Sequence, residues 1–160
     1  MGSEMCIRDS YRTMDGGDTW EQIFFLSDST ACIDLALNPI DPNIIYACMW
    51  ERTRAPWVRD YGGTTSGIFR SVDGGENWEE LTTGDNGLPQ SDEETGRIGI
   101  ALCASQPNVL YASFTTNSIT NVFNGLYKST DGGDTWQQTN DENMEFVYSS
   151  FGWFLSLIHI

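Results

Sequence analysis

Basic side chains are scarce in this sequence: eight Lys plus Arg stand against 23 Asp plus Glu in 160 residues, a formal charge of −15. Such a balance repels phosphate backbones and anionic membrane surfaces, which argues against nucleic-acid binding. Long apolar runs are missing as well, and none approaches the roughly 18 residues that a membrane-spanning helix needs. The 16 glycines and five prolines are scattered rather than periodic, which removes the collagen class. Histidine occurs once, at His159. What the chain does have is aromatic: six Trp, six Tyr and eight Phe within a 39% hydrophobic composition. That is too much burial potential for a disordered acidic segment, and the length fits about one ordinary domain.

Neither end continues the periodicity of the middle. The opening MGSEMCIRDS and the closing LSLIHI can each be back-translated into the two strands of one transposase adapter used to build sequencing libraries. Residues 1–10 and 155–160 are therefore expected to be adapter-derived, with a native window of about 11–154 from a longer open frame. On that reading His159 and Cys6 belong to the adapter, and no His-based catalyst or metal site remains. Cys32, Cys48 and Cys103 show no CxxC spacing and read as small buried fillers rather than a disulfide framework.

The middle repeats itself. TMDGGDTW at 13–20, SVDGGENW at 71–78 and STDGGDTW at 129–136 place Asp15, Asp73 and Asp131 at equal spacings of 58. GIFRS at 67–71 matches GLYKS at 125–129, and YRT at 11–13 is the same entry in shorter form. A second element, DLALNPIDPNIIYACMW at 34–50, matches IGIALCASQPNVLYASF at 98–114. Ordered elements with loops of variable length are the mark of stacked supersecondary units. In the middle unit four short strands are predicted: a at 33–37, b at 44–49, c at 67–71 and d at 77–81. Turn-forming Asn, Pro, Asp and Gly separate them, and nothing is periodic enough for a helix.

The pattern predicts an all-β chain, a partial β-propeller of four-stranded antiparallel blades. The outer strands of a first blade fall at 11–26, a second blade at 31–82 and a third at 97–139. A fourth begins at 145–154.

Each box reads as a structural turn. Asp15, Asp73 and Asp131 can accept backbone N–H groups across their own turns. The pairs Gly16 and Gly17, Gly74 and Gly75, and Gly132 and Gly133 permit positive φ. Trp20, Trp78 and Trp136 return on strand d to bury a ring against the sheet or the next blade. A cation site is the rival reading, but no box supplies the alternating oxygens and closing Glu of a calcium loop. No cofactor motif is present, and no metal is expected.

With LNPIDPNIIYA and SQPNVLYA beside them, the boxes resemble the Asp-box (BNR) repeat proteins, and among these the sortilin-like (VPS10-type) bacterial propeller proteins. MWERTRAPW, GIFRSVDGGENW and GRIGIAL together are similar to large exported bacterial proteins labelled glycosyl hydrolase or sortilin-like. The resemblance implies a propeller of an exported, periplasmic or cell-surface protein, with ligands on the face opposite the boxes. The b to c loop at 50–66 lies on that face and gathers Arg52, Arg54, Trp57, Arg59 and Tyr61. One reading is a platform for sugar rings or carboxylates. The other is internal packing, with Trp57 pinning the loop to the next blade and the arginines neutralising Glu51 and Asp60. Arg97 opens strand a of the third unit, near the mouth of the central channel. Asp92, Glu93 and Glu94 in the preceding loop read as a solvated acidic stretch, since adjacent acids seldom span a sugar.

The function expected first is a binding or scaffold module for a glycan or a polypeptide. The alternative is part of a glycoside hydrolase, xyloglucanase-like or sialidase-like, with its catalytic carboxylates mostly on other blades. The partners expected are those further blades and that ligand, with no nucleic acid.

Overall fold

The computed structural model describes residues 9–117 and 123–139. Two four-stranded antiparallel sheets dominate it. The first holds β3 (Thr30–Leu37), β4 (Ile45–Glu51), β7 (Gly67–Ser71) and β8 (Glu79–Glu80) in the order β3-β4-β7-β8. The second holds β9 (Thr95–Leu102), β10 (Leu110–Thr116), β11 (Phe123–Ser129) and β12 (Gln137–Gln138), again in chain order. A hairpin of β1 (Ser10–Arg12) and β2 (Glu21–Phe24) precedes them. A small hairpin of β5 (Thr53–Ala55) and β6 (Val58–Asp60) stands between β4 and β7.

Two differences from the sequence reading concern lengths. The fourth strand of each sheet is only two residues long, because the box claims Asn77 and Trp78 for its own turn before pairing begins. The stretch 50–66, read as a loop, contains the β5–β6 hairpin, whose tip is the AlaProTrpVal turn at 55–58. The stretches 145–154 and 155–160 lie outside the described residues, as do residues 1–8. β1 begins at Ser10, which pairs with Phe24.

The core lies between the sheets. Side chains alternate along a strand, and β4 is buried on both faces. Its Tyr46 and Cys48 join Ile68, Leu81, Ile98, Ile100, Leu110, Ala112, Phe114 and Trp136 in one cluster that faces the second sheet. Its Ala47 and Met49 join Phe24 and Phe69 in another that faces the first hairpin. Asp34, at a bulge in β3, accepts the Ile100 N–H at 3.1 Å and ties the two first strands together.

The boxes form one turn three times. In the middle copy the Ser71 hydroxyl donates to Asp73 Oδ1 at 2.8 Å and accepts the Gly75 N–H at 2.8 Å. Asp73 also accepts the Asn77 N–H and side-chain amide at 2.9 and 2.7 Å. Trp78 folds back so that its indole N–H donates to the Gly75 carbonyl at 3.0 Å. The same set recurs on Thr13, Asp15, Gly17, Thr19 and Trp20, and on Ser129, Asp131, Gly133, Thr135 and Trp136. Both glycines of the middle box need positive φ, 75° and 96°. These donors hold the carboxylates charged: Asp73, bound first by Asn77, and Asp131, bound first by Thr135, are lowered from 3.8 to about 2.

The second repeated element docks onto the box. The Asn43 carbonyl accepts the Gly74 N–H at 2.9 Å, and the Asn108 carbonyl accepts the Gly132 N–H at the same distance. The ProAsn steps at 42–43 and 107–108 thus fix the a to b turn against the c to d turn of one unit.

Neighbouring units are clasped by the arginines three positions before Asp15 and Asp73. Arg12 donates to the Gly74 carbonyl at 2.7 Å and pairs with Glu76 at 2.5 Å and Glu21 at 3.1 Å. Arg70 repeats this on the next box, with the Gly132 carbonyl at 2.8 Å, Asp134 at 2.7 Å and its cross-strand Glu79 at 2.6 Å. The Tyr46 hydroxyl donates to the same Gly132 carbonyl at 2.8 Å.

Candidate functional site

The a to b turns and the boxes occupy one end of the sheets, so the b to c and d to a connections gather at the other. There a polar cleft of about 350 Å³ is lined by Glu51, Asp60, Gly62, Gly63, Thr64, Glu93, Glu94 and Asn117. It joins three segments: the connection after β4, the loop before β9 and the end of β10.

Asn117 is the hub. Its side-chain carbonyl accepts the Tyr61 N–H at 2.8 Å, while its amide donates to Asp60 Oδ1 at 2.8 Å and to the Glu93 carbonyl at 2.9 Å. Sequence reasoning missed it, since a single Asn after a strand carries no signal. Glu51 is an anchor: one oxygen accepts the Thr65 N–H and hydroxyl at 3.2 and 2.8 Å, the other the Ser29 hydroxyl at 3.4 Å. Gly63 passes so close that an added Cβ would lie 2.2 Å from Glu51 Oε2. The firmer requirement for glycine is at Gly62, where an added Cβ would lie 2.2 Å from the Thr95 backbone carbonyl oxygen.

The candidate ligand-face residues divide into three groups. Arg52 is half-buried, its guanidinium 5.1 Å from the Trp50 ring centre and 5.7 Å from that of Tyr61. The Trp50 indole N–H donates to the Tyr61 carbonyl. These three pack the base of the connection. Arg54 and Arg59 are opposed across β5–β6 and exposed, and Trp57 at the tip is 84% exposed. The reading in which Trp57 pins the loop to the next blade is thereby corrected. Gly63 and Asn117 do that work, through the Gly63 N–H to the Thr95 carbonyl at 3.0 Å and the bonds above. Arg97 does not join the cleft. It lies half-buried in β9, where burial pulls its pKa down against the opposing field of Asp34. Glu93 and Glu94 line the cleft and are exposed.

Chemically, the cleft offers carboxylate acceptors and an amide, and the β5–β6 hairpin that carries Asp60 also presents an exposed indole and two exposed guanidinium groups. Hydroxyl-rich ligands with flat apolar faces match such a set. Among the described residues no cluster of three or more His, Cys, Asp or Glu has metal-binding geometry. Cys32, Cys48 and Cys103 are free thiols, and burial pushes the Cys32 thiol up to about 11. No described helix is long and apolar enough to cross a membrane, which says nothing of strands.

Two solved structures share the architecture: an ancestral GH74 enzyme, at TM-score 0.55, and the GH74 xyloglucanase from Xanthomonas campestris, at 0.56. Each is 20% identical to this chain, covering 82% of it but 16% and 17% of the respective structures. The fold is a piece of a β-propeller. Its sheets are blades, its clusters are inter-blade cores, and the cleft opens on the loop face. No family model matches the sequence. A xyloglucanase of Acetivibrio thermocellus is 32% identical over 142 residues, which is 82% of this chain. The chain spans 15% of that relative's length. These likenesses support a glycoside-hydrolase-type propeller rather than a sortilin-type one specifically.

Proposed function

We propose that this chain is part of a glycan-binding propeller of xyloglucanase type, with the loop-face cleft as a polysaccharide subsite. The observation that carries this reading is the 32% identity to a xyloglucanase across most of the chain. The cleft adds to it: the carboxylates of Asp60, Glu93 and Glu94 would accept from sugar hydroxyls, Asn117 holding the walls together, and the exposed Trp57 offers a ring face for stacking. The binding role comes before hydrolysis, because Glu51 is committed to Thr65 and Ser29 and Glu93 and Glu94 are neighbours on one loop. A hydrolytic pair needs carboxyl groups about 5 to 10 Å apart across a sugar, which neighbours on one loop seldom supply, and this reading puts the catalytic acids mostly on other blades. A polysaccharide too large to cross a membrane is met outside the cell, so the reading carries an exported location with it.

The test is titration of the chain with xyloglucan oligosaccharides, with a fructan as control. Binding is expected for the glucan alone, weakened at least fivefold by Trp57→Ala and by the pair Glu93→Gln and Glu94→Gln. Equal retention of both polysaccharides, or affinity indifferent to all three changes, would remove the cleft from consideration.

A further inference from the structure

Every basic side chain among the described residues but two has an occupation. Arg12 and Arg70 hold box carbonyls and neighbouring acids. Arg52 lies over Trp50 and Tyr61, Lys128 lies over Tyr111, and Arg97 is half-buried in the field of Asp34. Arg54 and Arg59 make no hydrogen bond, ion pair or ring contact with any described residue. The chain has 23 acids to set against them, yet it places the two directly opposite one another across β5–β6. Like charges at facing positions of a strand pair weaken the pairing.

The hairpin's own acid does not relieve them. Side chains alternate along each strand, so Asp60 shares a face with Thr53, Ala55 and Val58, and Arg54 and Arg59 share the other. The Asp60 face is turned to the third blade, where the Asn117 amide donates to its carboxylate at 2.8 Å. The hairpin belongs to the middle unit, whose sheet is covered on both faces. A purely structural role would pair the arginines, whereas a ligand needs them exposed.

Charge and shape indicate what they take. Two guanidinium groups side by side offer forked N–H donors to the two oxygens of one carboxylate. Trp57, in the turn between them and 84% exposed, adds a ring face for a flat apolar surface. A uronic acid has both features, a carboxylate on a sugar ring. The cleft on the Asp60 side is opposite in character: Asp60, Glu93 and Glu94 line it, so it takes hydroxyls and repels a carboxylate. Screening over about 8 Å at physiological salt keeps the chain's more distant acids out of the contest.

We propose that the hairpin face carrying Arg54 and Arg59, with Trp57, is a subsite for a uronic acid residue. The glycan bound is then a neutral chain bearing acidic sugars, with neutral units in the cleft and a uronate on the hairpin. The inference rests on the glycan-binding reading above and names the class of glycan.

The test titrates the whole chain with a galactose-bearing xyloglucan oligosaccharide and with the same oligosaccharide after oxidation of its galactose hydroxymethyl group to a carboxylate. The acidic form is expected to bind at least about fivefold tighter. That preference should fall below about twofold when Arg54→Gln and Arg59→Gln are combined, and likewise in about 1 M salt. Lys128→Gln, which removes a positive charge beside the third box, leaves the preference as it was. Circular dichroism checks that each variant keeps its sheets. The urea midpoint of Arg54→Gln should not fall, since the change removes a facing like charge; a fall would make the pair structural and count against the subsite. Equal binding of the two oligosaccharides overturns the uronate subsite and leaves the glycan-binding reading standing, while binding of neither overturns both. A preference that survives the double change, or that Lys128→Gln also removes, puts the carboxylate elsewhere and overturns the assignment. Tighter binding of a pentaglutamate peptide than of the acidic oligosaccharide gives the arginines to a polypeptide instead.

Discussion

The first and third boxes make the same internal hydrogen bonds, yet Trp20 is 61% exposed and Trp136 only 4%. The hydroxyl, the aspartate and the two glycines close each turn from within, whether or not anything covers it. Burial of the ring is a separate event, provided by the blade before it. The comparison teaches that one motif has two energetic layers. The local layer fixes conformation, and the layer between blades supplies most of the apolar stabilisation.

Truncating the two rings should separate these layers most widely. Trp136→Ala is expected to destabilise by about 3 to 5 kcal/mol, and Trp20→Ala by under about 1 kcal/mol, as at an exposed site. Urea unfolding followed by circular dichroism measures both. Equal losses would mean that the ring acts through its own turn rather than through the neighbouring blade.

The clasp comes next. Arg70→Ala should cost about 1 to 2 kcal/mol, chiefly for the bond to the Gly132 carbonyl, since its exposed acidic partners contribute little. Tyr46→Phe removes the other donor to that carbonyl, and a double-mutant cycle should show coupling of about 0.5 kcal/mol or more. Additive losses would show that the two donors act independently.

Acid should loosen the boxes in a defined window. Asp73 and Asp131 have folded pKa values lowered to about 2 against an ordinary 3.8. A depressed carboxylate contributes stability that is full above its unfolded pKa and is lost as pH falls through its folded one. Stability should therefore be flat in these groups above about pH 5 and fall between about 4 and 2. Asp131→Asn should shrink that fall, measured as the urea midpoint against pH. The smallest effect belongs to the loop face: Trp57→Ala should change stability by less than about 0.5 kcal/mol while weakening glycan binding.

Much of the fold was legible because each unit states its turns locally. ProAsn and AspGlyGly mark chain reversals by their own backbone preferences, and the equal spacing of Asp15, Asp73 and Asp131 announces repetition. The candidate site was legible only as a composition of arginines and aromatics at 50–66. That this stretch folds back as a hairpin with Trp57 at its tip was not, because ProTrp carries no strong turn signal. Asn117 was invisible for a deeper reason. Its partners Asp60, Tyr61 and Glu93 come from two other segments, and no sequence spacing relates them.

The inter-blade clasp lies between these cases. The basic residue three positions before each Asp repeats in the sequence as Arg12, Arg70 and Lys128, but the glycine carbonyl that each arginine reaches is 62 residues further on. Periodicity shows that such a residue recurs; only packing shows what it holds.

By itself, then, the sequence determined the turns, the strands and their repetition, since these rest on backbone preferences and bonds within a few residues. The tertiary structure alone decided which rings are buried, which carbonyls the arginines reach and which polar groups meet in the cleft. Those outcomes depend on surfaces brought together from distant parts of the chain. Burial and charge pairing are properties of such contacts, and no residue carries them alone.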